Sequence, residues 1–544
     1  MKKFIFIFLA VLIVFGCQEL DLVPENQLSD GSLWNRSEDF EIGVNLLYPS
    51  IGVHQNDWDS DIAFADGPNS TSNGSRVAPA TSNFYNNSYR DIRRCNFLID
   101  RAIANGFEDD RFVAEARWFR ALFYSRLIAA YGDVLFYTVT LDPTSGALFN
   151  ARTSRAIIVD FLIQELKEIA PLLPLQSELP GAELGRITRG AADALRARIA
   201  LFEGTWIKYH GSPGDANERL DEAISASLAV INSGEYELFN YGPNRDQSYR
   251  FLFMEVGNDS REQIVARRYD ELRSIEQVAG DSRYTITRKM ADMYLCTDGL
   301  PIDQSPLFGG RALMTSEFQD RDPRMAMTII IPGSFTIDRL DQDGTGQDFP
   351  LIVWDESLYD NYKYITEFYA DATGQIAVYF YHMLRYAEVL LIYAEAIYER
   401  NGMITDVELD RSINITRARA GMPSLTNAHV SSNGLDMITE IRRERTIEFV
   451  HEGFRRDDLR RWRIAEVEMP MALMGVQFAG TEFETATLPD GSLRYPDPPA
   501  MDIDGNIIVE PASQRSFNPA RDYLEPLPAE ELVINPNLRQ NPNW

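Results

Sequence analysis

A chain of 544 residues with 45% hydrophobic and 24% charged residues has a globular composition, with length for two or three domains or one large one. Its formal net charge of −29 argues against a nucleic-acid partner, because a protein must neutralise phosphates to bind them. Three cysteines are too few for a disulfide framework to hold such a chain together.

The first element is a targeting segment. Lys2 and Lys3 precede an unbroken apolar run over residues 4–15, and Gly16 and Cys17 follow at once. The run is too short to span a bilayer, and a small residue before a cysteine is the pattern of a lipoprotein signal. Residues 1–16 therefore read as a signal peptide and Cys17 as the lipidated first residue of the mature chain, anchored to a membrane without crossing it. Cys95 and Cys296 remain, and their spacing does not say whether they pair.

Helical periodicity dominates two blocks. Tyr89 opens a helix that runs to Ala104, and Phe112, Ala116, Phe119, Phe123, Leu127 and Ala130 line one face of the next, which stops near Gly132. Further helices are expected near 153–171, 188–207 and 216–232. A second block starts near Leu384 and continues near 406–420, 435–451 and 457–466. Short connections and alanine-rich faces (Ala191, Ala194, Ala197; Ala387, Ala394) suggest degenerate tetratricopeptide-like hairpins, whose repeat is about 34 residues. The fold class expected is mainly α, with a superhelical scaffold of hairpins over about 89–232 and 384–466.

Between and after these blocks, residues 48–88, 233–380 and 467–544 are rich in Gly, Pro, Asn, Asp and aromatics, with strand-like runs at 327–331 and 507–509. Insertions of this kind carry binding surfaces on a rigid frame. Neutral sugars present apolar C–H faces to aromatic rings and hydroxyls to amides and guanidinium groups. By residue type and position the candidate ligand contacts are Trp58, Asn83, Tyr85, Tyr284 and Trp354, with Arg76 as polar partner.

Other clusters read as scaffold. Arg442, Arg443, Arg445, Arg455, Arg456, Arg460, Arg461 and Arg463 alternate with acids, with Glu440 and Arg443, and Arg445 and Glu448, three apart on one helix. Asp341, Gln342, Asp343 and Gly344, like Asp502, Ile503, Asp504 and Gly505, begin as a calcium loop does. Neither continues with the third ligand and distant Glu that such a loop needs, so no metal or other cofactor is expected. No nucleophile elbow, zinc-protease or phosphate-loop motif is present.

Several ordered segments together resemble the SusD/RagB family of outer-membrane nutrient-binding lipoproteins. They are LDLVP at 20–24 with Trp34, EARWFRALFYSRLIAAYGDV at 115–134, and GRITRGAADALRARIALF at 185–202. After these come DGLPI at 298–302, RDPR at 321–324, RYAEVLLIYAEA at 385–396 and NITRARAGMP at 414–423. The set ends with EIRRERTIEFVHEGFRRDDLRRW at 440–462 and YLEPLPAEELVINPNLRQNPNW at 523–544. The motif departs from the family at Arg456, where an aromatic more often follows the arginine. The resemblance implies one SusD-like domain over 17–544, with a loop-rich ligand-binding lobe at about 233–380 and a C-terminal segment at 467–544. It implies a non-enzymatic lipoprotein of the cell outer membrane, exposed on the surface, that binds an oligosaccharide or polysaccharide. The partner implied is a SusC-like TonB-dependent transporter. In the family, the spacing of Tyr85 and Tyr89 before Ile92 introduces a helix near the glycan site. A surface glycoside hydrolase and a tetratricopeptide adaptor or peptide-binding lipoprotein stand as alternatives.

Overall fold

The structure, a computed structural model, describes residues 33–52, 56–65, 67–242, 247–269, 285–331, 357–364, 378–488 and 490–544. The signal segment, Cys17, Tyr284, Trp354 and the half-motif at Asp341 lie outside the described residues.

An N-terminal helix, α1 (Ser37–Asn45), precedes five long ones: α2 (Asn83–Asn105), α3 (Arg111–Tyr131), α4 (Arg155–Ile169), α5 (Arg189–His210) and α6 (Ala216–Ser233). Each of these five packs on the next in sequence. Their ends follow local chemistry. Asp110, Thr188 and Asp215 accept backbone N–H bonds as N-caps, and Gly106, Gly211 and Gly234 end helices in the left-handed conformation. Close approach explains the small residues: Ala191, Ala194 and Ala197 are fully buried, and a Cβ at Gly204 would meet Leu220 of α6 at 3.0 Å.

The second block joins the first directly. Helix α7 (Tyr386–Asn401) docks on α6 and α5, and α8 (Met437–Phe449) docks on α7. A short helix, α9 (Arg455–Arg461), then packs on α5. The fold is thus mainly helical, built of paired helices as expected. The helix expected at 406–420 is two, 406–410 and 413–419, broken at Ser412, whose ψ of −100° is not helical. The run at 327–331 is not a strand throughout: Asp322 caps a helix with Pro323 at its first position that carries Met327 and Thr328, and only Ile329 bridges to Asn361.

The inserted lobe is tied down at its roots by strands. β1 (Ala63–Phe64) pairs with β3 (Thr285–Ile286), and β2 (Gln263–Arg267) pairs with β4 (Tyr381–Arg385), all antiparallel. A third hairpin, β5 (Leu473–Gln477) with β6 (Asn506–Glu510), contains the expected run at 507–509. Ile62, Ile286, Met290, Tyr294, Met325, Tyr359, Val476 and Ile507 form one core beneath it, against Ile447 and Val450.

Lobe and scaffold meet through buried ions rather than through apolar surface alone. Arg324, with 0% of its surface exposed, donates to Asp322 (2.7 Å), Glu444 (2.7 Å) and Glu448 (2.9 Å). Arg385, 1% exposed, joins Glu262 (2.8 Å), Glu448 (2.7 Å) and Glu452 (2.8 Å). Burial opposes ionisation of Glu448, yet Arg419, Arg385 and Arg324 hold its carboxyl far below the usual range. Glu440 and Arg443 pair at 3.2 Å as their spacing predicts, whereas Arg445 turns to Asp458 (2.8 Å) and leaves Glu448 to the lobe arginines.

Cys95 and Cys296 are both buried and free, which settles their pairing in the described structure. Asp502 serves a turn: it accepts from the backbone N–H of Asp504 (3.0 Å) and Asn506 (2.8 Å). Among the described residues no three His, Cys, Asp or Glu side chains are grouped to hold a metal, and no helix is long and apolar enough to cross a membrane.

Candidate functional site

Residues 56–65 lie against the turn that follows α8. That turn is tight, with His451 at φ 61° and Gly453 at φ 78°. Three aspartates, one at every second position, engage it. Asp57 accepts from the backbone N–H of His451 (2.7 Å) and Arg455 (3.0 Å), and Asp59 pairs with Arg456 (3.2 Å). Asp61 takes both arms of the Arg455 guanidinium (2.8 and 2.9 Å) and Lys289 (2.6 Å). Between the first two, Trp58 stands 36% exposed.

The ionic chain continues to the C-terminal segment. Arg456 also pairs with Glu525, which takes Arg76 at 2.5 Å, and Arg76 reaches Asp522 at 3.8 Å. The Arg76 guanidinium lies 5.4 Å from the centre of the Trp544 ring, and burial pushes its pKa down to about 10.

An aromatic row starts α2. Ser82 caps the helix by accepting from the Tyr85 N–H at 3.3 Å, so the helix begins at Asn83, six residues before Tyr89, where the apolar pattern placed its start. Asn83 is exposed, and Phe84, 43% exposed, faces Tyr131 with ring centres 6.1 Å apart. Tyr85 points the other way. It is 3% exposed and packs on Tyr89 (4.7 Å) and Tyr131 (5.5 Å). As placed, Tyr85 supports the site from behind and presents no ring face outward.

These elements enclose one side of a cavity of about 750 Å³ whose wall includes Asn56, Asp59, Phe84, Tyr131, Arg456 and Glu525. The helical scaffold supplies the floor, with Arg126 of α3, Arg198 of α5 and Glu388 of α7. The volume lies within the usual range for small-ligand sites. Of the six residues expected from sequence to contact ligand, none of the four described is in the cavity wall: Trp58 and Asn83 are chain neighbours of Asp59 and Phe84, which are, Arg76 pairs with Glu525 of the wall, and Tyr85 is buried; Tyr284 and Trp354 lie outside the described residues. Sequence reasoning passed over Phe84, Asp59, Arg126, Arg456 and Glu525. The phase of α2 held a signal for the first: Tyr85, Ile92, Cys95 and Ile99 make its buried stripe, which leaves Phe84 outside.

The latch responds to pH. Burial pushes the Asp57 carboxyl up to about 7 from an ordinary 3.8, with Asp59 adding to the rise while the two N–H donors and Lys363 oppose it. Folding therefore takes up a proton here between pH 3.8 and 7, so this group's contribution to stability falls as pH rises through that window. Half-buried His210 and buried His451, held down at about 4 and about 3 by desolvation, run the other way, so the difference between variants is the informative quantity. Asp57→Asn cannot ionise, and its melting temperature minus that of the wild type should rise from pH 5 to pH 8, by the equivalent of about 2 kcal/mol. A difference independent of pH contradicts this reading of Asp57.

Comparison with known proteins places the chain. The sequence model of the SusD family matches residues 251–544. A SusD-like protein of Formosa agariphila is 23% identical across 99% of both chains. A SusD-like carbohydrate-binding protein of Bacteroides fragilis superposes with a TM-score of 0.74 at 25% identity, covering 93% of this chain and 99% of its own. A second SusD-like protein of that organism gives a TM-score of 0.72 at 23% identity, over 95% of this chain and 99% of its own.

Proposed function

The chain belongs to the SusD family, and from that membership we propose that it binds a nutrient glycan at the cell surface and passes it to a SusC-like TonB-dependent transporter. In this reading Cys17 is lipidated and tethers the protein to the outer membrane beside that partner. The glycan enters the cavity beside Asn56, Asp59, Phe84, Arg456 and Glu525, with the exposed Phe84 ring in its wall and Trp58, next to Asp59 and partly exposed, as a further proposed contact. Tyr284 and Trp354 remain proposed contacts from the inserted lobe.

The observation that carries binding over catalysis is the state of the carboxylates. A glycosidase needs two of them about 5–10 Å apart, one free to donate a proton and one to act as base or nucleophile. Every carboxylate lining this cavity is in an ion pair: Asp59 and Glu525 with Arg456, Glu388 with Arg198, Glu203 with Arg155, Glu452 with Lys363, Asp457 with Arg460, and Asp458 with Arg445. Such groups orient hydroxyls and guanidinium groups; they are poorly placed to exchange protons.

Electrophoresis in gels cast with different polysaccharides tests the reading. Retarded migration on at least one glycan, without release of reducing sugar, is expected. Phe84→Ala and Trp58→Ala should each weaken binding about three- to tenfold, the worth of one aromatic contact. Released reducing sugar would establish the hydrolase alternative. Normal migration on every glycan, with capture of a peptide, would establish the peptide-binding one.

A further inference from the structure

The arginines around the cavity differ in one respect. Six line it: Arg126, Arg198, Arg445, Arg456, Arg460 and Arg461. Among the described residues five are ion-paired with carboxylates, and Arg126 is not. Its guanidinium donates to two backbone carbonyls, that of Ser50 at 3.0 Å and that of Ile51. Burial and the nearby Arg198 push its pKa down to about 10, so it stays charged at neutral pH. Arg126 is half-buried, and a partly desolvated cation with no carboxylate partner gains from an arriving anion.

The wall around it is unsatisfied in a complementary way. Arg445 is buried and bonds Asp458 through Nε at 2.8 Å, but its Nη1 has no hydrogen-bond partner. Asn56 lines the same cavity, and its buried Oδ1 has no donor. Gly52 stands over Arg126: a Cβ there would lie 3.5 Å from Nη2 and 3.8 Å from the Tyr381 ring, so its absence leaves the guanidinium uncovered. A guanidinium without a carboxylate, a second with an unpartnered Nη1 and an amide oxygen without a donor match one kind of ligand, a hydroxyl-bearing molecule with a negatively charged oxygen group.

We propose that the cavity is a subsite for an anionic sugar unit, a uronate carboxylate or a sulfate ester on a hydroxylated glycan, with Arg126 as the residue that takes the negative group. This rests on the glycan-binding reading above and narrows its ligand class. Arginine suits the task because its planar fork can hold two carbonyls on one edge and present the remainder to a carboxylate or sulfate.

Titration calorimetry at fixed ionic strength tests it with three probes of equal length: a galacturonate oligosaccharide, a sulfated galactose oligosaccharide and the neutral galactose oligosaccharide. At least one anionic probe is expected to bind tenfold or more tightly than the neutral one, and which of the two does so identifies the charged group. Arg126→Met should abolish that preference, leaving the anionic probes no tighter than the neutral one measured on the same variant. Arg126→Lys, which keeps the charge and loses the fork, should retain part of it. Thermal melting of each variant shows whether it folds; if Arg126→Met does not, the wild-type preference and Arg126→Lys decide. Equal affinity for charged and neutral probes, or a preference that survives Arg126→Met, overturns the inference and leaves glycan binding standing. Failure of every glycan, neutral and charged, in both the gels and the calorimeter overturns both.

Discussion

Arg385→Met is expected to destabilise the protein by about 3–5 kcal/mol, the cost of stripping the cation from buried carboxylates. Arg385 ends β4 and immediately precedes α7, and each of its three nitrogens is used. Nε donates to Glu452 (2.8 Å), Nη1 to Glu262 (2.8 Å) and Glu448 (2.7 Å), and Nη2 to Glu452 (2.8 Å) and the Glu448 carbonyl (2.8 Å). Glu262 comes just before β2, Glu448 lies on α8, and Glu452 belongs to the turn that holds residues 56–65. One side chain thus joins the lobe, the scaffold and the site. Methionine fills much of the space but donates to none of the carboxylates; Glu262 keeps Arg419, Glu448 keeps Arg419 and Arg324, and Glu452 keeps Lys363, so the loss is that of the buried hydrogen bonds and charge that Arg385 alone supplies. Urea unfolding followed by circular dichroism measures the loss; a change below about 1 kcal/mol would mean that the neighbouring cations carry the network without Arg385.

Asp61→Asn is the second large effect. Asp61 and Arg455 are both buried, and burial alone raises the Asp61 pKa, but Arg455 and Lys289 outweigh it and hold the carboxyl well below the usual range. The stabilisation is therefore full above the ordinary carboxylate pKa and is lost as pH falls through the folded value. Asparagine leaves the buried Arg455 without its charge partner and Lys289 with Glu468 alone, at an expected cost of about 3 kcal/mol at pH 7. The gap to wild type should narrow below about pH 4, where the unfolded wild type is itself protonated. Because Asp61 fixes the segment that carries Trp58, the same substitution should weaken glycan binding more than Trp58→Ala does. Unchanged binding with reduced stability would separate the latch from the site.

The helical frame was legible because burial on a helix leaves a local, periodic trace. Phe112, Phe119 and Leu127 are buried where their spacing put them, whereas the packing of α7 on α6 across the long insertion left no local trace. The arginine-rich stretch was legible as scaffold by its mixed charge, yet its partners were not. Arg455 reaches Asp61 and Arg456 reaches Asp59, both nearly 400 residues away, and no local rule links two charges at that distance in sequence. The site suffers the same limit. Residue type pointed to the loop that borders the cavity, but whether an aromatic faces outward or into the core depends on one residue of helical phase, and Tyr85 and Phe84 fall on opposite sides of that choice. Arg126 gave no signal at all: inside an apolar helix it reads as one more scaffold charge, and only its lack of a carboxylate sets it apart.

Hydrogen–deuterium exchange of the wild-type protein, with and without a saturating oligosaccharide that retards it in gels, tests the central claim most directly. Ligand seated in the cavity is expected to slow exchange across residues 56–65, 67–84 and the turn at 450–456, and to leave a separate groove between α3 and α4, lined by Arg117, Arg120, Glu165 and Glu168, unchanged. Protection confined to that groove, or absent from all three segments at saturation, would contradict the placement of the site.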